Sequence, residues 1–207
     1  RNCIPGVAPA NVVNRKKYFK HVFTSVEEFD LFNPDLLFAS VKTTHLPSLM
    51  NEIVKLGNTA TGVVCAMNGI DVEQMISDVI GEPRTMRMVL NFAGNLVAPN
   101  ITKYTFFNPP NYIASIDDSR KAEADEIANI LNSVSLETKS INSFELLKCV
   151  WEKTILNSSL SALCAVGRMT IKEAMSHSDT VELTEQVIEE AVEVAAAEKI
   201  MFDDDFI

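Results

Sequence analysis

The sequence predicts an α/β chain: a parallel sheet with crossover helices, followed by a wholly helical part. Three observations carry that prediction. The short apolar runs "DLLFASVK" (35–42) and "TGVVCAM" (61–67) have the pattern of strands buried on both faces. Each run is followed by an amphipathic helical pattern, "LPSLMNEIVKLG" and then "DVEQMISDVIG", that ends on glycine. After Ser140 the strand-like runs cease and the chain reads as helix only.

The elements follow in order. The first strand, 35–42, opens after the turn signal "NPD". The helix after it sets apolar residues at 46, 49, 50, 53, 54 and 56, with Gly57 as its C-terminal cap. The second strand, 61–67, is punctuated by "NG", and the next helix, 71–81, takes Asp71 as N-cap and stops at Gly81. Strand, helix, strand, helix implies a parallel βαβ sheet with a right-handed crossover. From 85 to 115, "RMVLNFAG", "NITKYTFF" and "NYIAS" read as strands separated by Gly, Asn and Pro, a mixed or antiparallel extension of the sheet. A capped amphipathic helix spans 117–134, with a short strand near 136–139. The helix over 143–166 begins with a Ser143 cap; "TIKEAMS" is a short helix and 180–200 a long one. The change of pattern divides the chain into 1–140 and 141–207.

With 207 residues and 47% hydrophobic content, the chain can bury one large core or two small ones. A net charge of −10 argues against nucleic acid and anionic membrane as partners. The basic cluster Arg15, Lys16, Lys17 and Lys20 reads as a solvated loop. No apolar run is long enough to span a bilayer, and no signal-peptide pattern opens the chain. Cys3, Cys65, Cys149 and Cys164 form no CxxC, and His21, His45 and His177 complete no ligand set, so no structural metal is expected. Three of the cysteines lie in apolar runs, where they serve as small hydrophobes in a reducing, cytoplasmic compartment. A first residue of Arg and the ending "FDDDFI" suggest a piece of a longer polypeptide.

The helix over 143–166 raises the main chemical question. Apolar residues cover most of its circumference, so it should be largely buried. Yet Lys153, Asn157 and Ser161 recur at i, i+4 and i+8 along one face. A buried ammonium needs a partner or a wet cleft. The plain reading is a helix with one solvated strip. The functional reading is a cleft wall offering a proton donor and two hydrogen-bonding groups, suited to protonating an alkoxide or holding a carboxylate. Lys42 and Asn68 end successive strands, and ligands of open α/β sheets bind along that carboxyl edge. Both are also ordinary strand-to-loop residues, and His45 is an ordinary loop histidine. The acidic stripe Glu182, Glu185, Glu189, Glu190, Glu193 reads as a solvated helix face. The seven glycines never fall at GxGxxG spacing.

Three stretches, "LLFASVK", "CAMNGID" and "LLKCVWEKTILNSSLSALCAV", resemble the ketopantoate reductase family in order and spacing. The last is the most specific, because the family shows a W-x-K-x-x-x-N helix opening its C-terminal domain. The resemblance implies a Rossmann-like parallel-sheet α/β domain that binds NADPH, here lacking its first strand and glycine loop. An all-α C-terminal domain, here truncated, would follow. It implies reduction of a small-molecule 2-oxo acid, 2-dehydropantoate, with Lys153 as general acid and Asn157 and Ser161 lining the substrate site. Lys42 and Asn68 would lie near the nicotinamide and its ribose, and Arg1 at a cofactor phosphate. Ser161 departs from the asparagine the family often has there, which leaves open a paralogue acting on another 2-oxo acid or ketone. A non-catalytic interaction module derived from the same fold is the alternative of a different class. The apolar C-terminal helices could form a homodimer face or pack on further helices.

Overall fold

The structure is a computed structural model that describes residues 21–57, 60–99, 101–203 and 206. Arg1, Cys3 and the basic cluster Arg15, Lys16, Lys17 and Lys20 therefore lie outside the described residues. The chain divides into two compact units, one of residues 1–67 and 71–146, the other of 68–70 and 147–207.

In the first unit a short helix α1 (Val26–Asp30) precedes β1 (Leu36–Ala39), α2 (Leu46–Ile53), β2 (Gly62–Cys65), α3 (Val72–Ile80) and β3 (Thr85–Val89). A hairpin of β4 (Phe92–Ala98) and β5 (Ile101–Phe107) intervenes before β6 (Asn111–Ser115), α4 (Lys121–Ser133) and β7 (Thr138–Ser140). The main sheet has the order β1-β2-β3-β6-β7. The pairs β1/β2, β2/β3 and β6/β7 are parallel, and β3/β6 is antiparallel.

All four residues of β2 are buried, as a central strand covered on both faces requires. Its alternation sends Val63 and Cys65 to one face, where Leu46 and Ile53 of α2 and Val72 and Ile76 of α3 close over them. Val64 and Ala66 take the other face with Met86, Met88 and Ile113. Against that face α4 sets Ala124, Ile127, Ala128 and Leu131, one stripe at helical spacing.

Several local expectations are corrected. Helix α2 ends at Ile53, and the Gly57 amide instead donates to Asp30 Oδ2 at 2.8 Å. Asp71 precedes α3 in a left-handed conformation and makes no side-chain cap. Helix α4 starts only at Lys121, because Asp117 is engaged by Ser115 and Ser119 in the turn before it. The run "RMVLNFAG" breaks at Leu90 and Asn91, where side chains replace the ladder: Asn111 Oδ1 accepts from the Asn91 amide at 2.8 Å, and Asn91 Nδ2 donates to the Pro110 carbonyl at 2.7 Å. Strand β6 is thus the antiparallel extension of the sheet, while β4 and β5 form a separate two-stranded one. That hairpin is largely solvent-facing, with Leu96 at 72% exposure.

The helical part opens with α5 (Ser143–Leu156) and continues through a π-helical turn, Asn157–Ser161, into α6 (Ala162–Gly167). Then come α7 (Ile171–Ala174) and α8 (Ser178–Ala197). The cap of α5 is Asn142 rather than Ser143. Asn142 Oδ1 accepts from the Glu145 amide at 2.8 Å, and Glu145 Oε2 accepts from the Asn142 amide at 3.3 Å, a reciprocal capping box. Ser143 is taken by Asp118, which accepts from its amide at 2.8 Å and its hydroxyl at 2.7 Å. The second unit's core joins Trp151 and Ile155 of α5 to Ile188, Ala191, Val192 and Ala195 of α8, with Ile200, Phe202 and Phe206 beyond. The glutamates at 182, 185, 189, 190 and 193 are all exposed. Among the described residues no helix is long and apolar enough to cross a membrane.

Candidate active site

The helix over 143–166 is not buried around its circumference. One stripe is: Trp151, Ile155 (1% exposed) and Ser159 (2%), each four residues from the next. Lys153, Asn157 and Ser161 are offset from it by two residues, roughly 200° around a helix of 3.6 residues per turn, so they face away from the unit's core. Lys153 is half-buried, whereas Asn157 and Ser161 are exposed. Leu146 (3%) and Val150 (2%) are buried beside the Trp151 stripe, whereas Phe144, Leu156 and Val166 are open to solvent, Val166 at 86% exposure.

The π turn begins at Asn157 and ends at Ser161, two of the three residues singled out by spacing. Its cause is local. Ser158 Oγ and Ser159 Oγ both donate to the Ile155 carbonyl, at 3.0 and 2.9 Å, and Ser159 also reaches the Leu156 carbonyl at 3.3 Å. Hydroxyls bonded back in this way compete with backbone amides for helix carbonyls and bend or widen the helix. A π turn has i→i+5 bonding, so it shifts the phase of Ser161 against Lys153 from the one an unbroken α-helix gives. Such turns occur often at functional sites.

The loop after β2 joins the same unit. Asn68–Ile70 groups with 147–207, and Ile70 packs against the Trp151 and Ile155 layer. Asn68 is exposed there, and Gly69 has a φ of 119°, a conformation open to glycine. The structure therefore gathers Lys153, Asn157, Ser161 and the Asn68 segment into one unit. Lys42 belongs to the other. It is exposed just past β1, and its carbonyl accepts from the His45 amide at 2.7 Å, closing a 3₁₀ turn, Thr43–His45. His45 is exposed.

Spacing alone missed a buried charge. Arg87, in the middle of β3, is 3% exposed, and its Nη1 donates to Cys65 Sγ at 3.1 Å and lies 3.4 Å from Glu73 Oε2. Burial pushes the Cys65 thiol up, and the guanidinium opposes that shift without overcoming it. The available signal is a lone charged residue between Met86 and Met88 in the short run Thr85–Val89.

A mostly parallel sheet with polar residues at its carboxyl edge, followed by helices, defines a Rossmann-like α/β protein with a helical C-terminal part. The family model described as Ketopantoate reductase PanE/ApbA matches residues 9–117, and the model described as Ketopantoate reductase PanE/ApbA C terminal matches 145–207. The chain belongs to the ketopantoate reductase family. It is 24% identical over 171 residues to the 2-dehydropantoate 2-reductase of Streptococcus pyogenes serotype M1, covering 83% of this chain and 55% of the relative. The chain thus spans about half the length of the curated relatives it matches. In fold it is similar to 2-dehydropantoate 2-reductase from Geobacter metallireducens GS-15, with a TM-score of 0.74, 17% identity, and coverage of 86% of this chain and 59% of that one. It is also similar to D-mandelate dehydrogenase in a ternary structure with NADH and anilino(oxo)acetate, with a TM-score of 0.71, 23% identity, and coverage of 82% and 54%.

Proposed function

We propose that the polypeptide carrying this chain reduces 2-dehydropantoate to pantoate with NADPH, in the cytoplasmic route to pantothenate and coenzyme A. The observation that carries this reading is the outward stripe Lys153–Asn157–Ser161, laid across a π turn in the same unit as the Asn68 segment. On this reading, residues 1–140 serve the cofactor and 141–207 the substrate.

The residues present suit a nicotinamide dinucleotide, because Lys42 and Asn68 stand exposed just past the carboxyl ends of adjacent parallel strands. Those two would hold it, with Arg1 at a phosphate. When bound, the cofactor supplies hydride to the ketone carbon. Lys153 gives a proton from its ammonium to the oxygen as it becomes an alkoxide. The Asn157 amide and the Ser161 hydroxyl orient the acid by hydrogen bonds, and a placed donor is worth most in such a site when aimed at developing charge. A homodimer joined through the exposed apolar residues of the helical unit, Val166, Ile171 and Leu183, accords with a Staphylococcus aureus relative described as dimeric.

One observation favours a second reading. The D-mandelate dehydrogenase neighbour holds NADH, and Ser161 has a shorter reach than an asparagine, so a different 2-oxo acid with NADH fits the same wall. Steady-state oxidation of NADPH and of NADH by the full polypeptide separates the two, with 2-dehydropantoate beside an aryl 2-oxo acid. Preference for NADPH and 2-dehydropantoate upholds the first. Preference for NADH and the aryl acid replaces it with the second. Turnover of neither pair, with neither cofactor bound, leaves a non-catalytic module.

A further inference from the structure

We propose that Arg87 is a positioning residue that clamps both ends of the Asn68 loop through Cys65 and Glu73, an inference that rests on the cofactor role proposed for Asn68. The geometry is compact. Cys65 is the last residue of β2 and Glu73 lies in the first turn of α3, so the chain between them is the loop 66–71 and the start of that helix. Arg87 sits directly across from Cys65 in the parallel register of β2 and β3. Its Nη1 touches both anchors, at 3.1 Å to Cys65 Sγ and 3.4 Å to Glu73 Oε2. Both contacts come from one nitrogen, a hydrogen bond to the sulfur and an ion pair with the carboxylate, and the planar guanidinium holds that nitrogen in a fixed direction that an ammonium on a flexible stem does not.

The loop has reason to need a clamp. Gly69 has a φ of 119° and Asp71 a φ of 59°. Asp71 is a non-glycine residue in the left-handed region, a conformation that aspartate tolerates better than most residues but that is still uncommon and relies on its surroundings. Asp71 adds no side-chain cap to α3 that would compensate. Stability does not explain the pair itself. A buried ion pair commonly contributes no more than apolar side chains of similar volume, because both charges must be desolvated. What the pair contributes instead is a fixed end-to-end geometry for the segment that presents Asn68.

The test uses Arg87→Met in the full polypeptide, beside Asn68→Ala and the double variant. Amide hydrogen exchange is read across 66–71 and across β2 and β3, and NADPH affinity by titration. Exchange in 66–71 should rise about tenfold or more while the strands keep their protection. NADPH affinity should fall in Arg87→Met, and the losses in the double variant should be less than additive, as for coupled residues. Unchanged loop exchange would overturn the clamp, and so would a uniform rise across the sheet, the mark of a merely structural residue. Should Arg87→Met fail to fold, Arg87→Lys keeps the charge and removes the planar guanidinium; loop exchange identical to the parent would then overturn it. A loosened loop with NADPH affinity unchanged in both Arg87→Met and Asn68→Ala upholds the clamp and instead removes the cofactor role of Asn68.

Discussion

Helix α5 and the turn that follows it carry two stripes of equal spacing and opposite use. Trp151, Ile155 and Ser159 recur every four residues and are buried against α8 and the residues after it. Lys153, Asn157 and Ser161 recur every four residues as well, and run from half-buried to exposed. Periodicity therefore does not separate fold from function on this helix. The side chains do. The buried stripe is two large apolar groups and a serine whose hydroxyl is bonded back to the helix, so it asks nothing further of its surroundings. The outward stripe offers an ammonium, an amide and a hydroxyl, three groups that repay a polar ligand.

The contrast can be broken from either side. The largest expected effect on stability is at Ile155. Ile155→Ala removes a fully enclosed side chain from the second unit's core and should cost about 2–5 kcal/mol, read as a fall in the urea midpoint at constant slope. A loss within the range of surface substitutions, about 0.5 kcal/mol, would mean that this stripe is not the core contact described here. Ser159→Ala comes next, at about 1 kcal/mol, because a buried hydroxyl loses its carbonyl partners together with its own polar atom. Its sharper consequence is geometric. With one competing hydroxyl gone, the π turn should relax toward α-helix and move Ser161. The expected signature is a raised KM for the oxo acid with kcat less affected; an unchanged KM would detach the turn from substrate binding.

The smallest effect lies away from both stripes and appears only in acid. Burial works to raise the Asp117 carboxyl, but donors from Ser115 and Ser119 outweigh it and hold it below the ordinary aspartate range. A depressed folded-state value gives stability that is present above the ordinary pKa and lost as pH falls through the folded one. Asp117→Asn should flatten that acid limb of the unfolding curve and leave the near-neutral slope unchanged. An unaltered acid limb would remove this contribution.

Much of this was legible in the sequence, for physical reasons that differ by element. Strands β1 and β2 and helix α3 could be read because a continuous apolar run and a periodic one bounded by Gly81 have few other uses. The outward stripe could be read because four-residue spacing survives into α5. The turn after it could not. It depends on where the Ser158 and Ser159 hydroxyls point, and composition does not fix that. The cap of α5 was ambiguous because Asn142 and Ser143 are both good caps, and a distant residue, Asp118, decides between them. Arg87 shows the same limit: its partners Cys65 and Glu73 are 22 and 14 positions away, and it takes the sheet register for the one and the placement of α3 for the other to bring them together.

The most direct measurement compares Lys153→Ala with Ile155→Ala in the full polypeptide, following turnover of NADPH with 2-dehydropantoate and the urea unfolding midpoint on the same preparations. Lys153→Ala is expected to lower kcat by about 10²–10⁴-fold, the usual reach of a general acid, with an unfolding midpoint close to the parent's, while Ile155→Ala loses stability first. Near-parental turnover in Lys153→Ala, or a loss of turnover matched by a fall in its unfolding midpoint, would contradict the assignment of the outward stripe to chemistry.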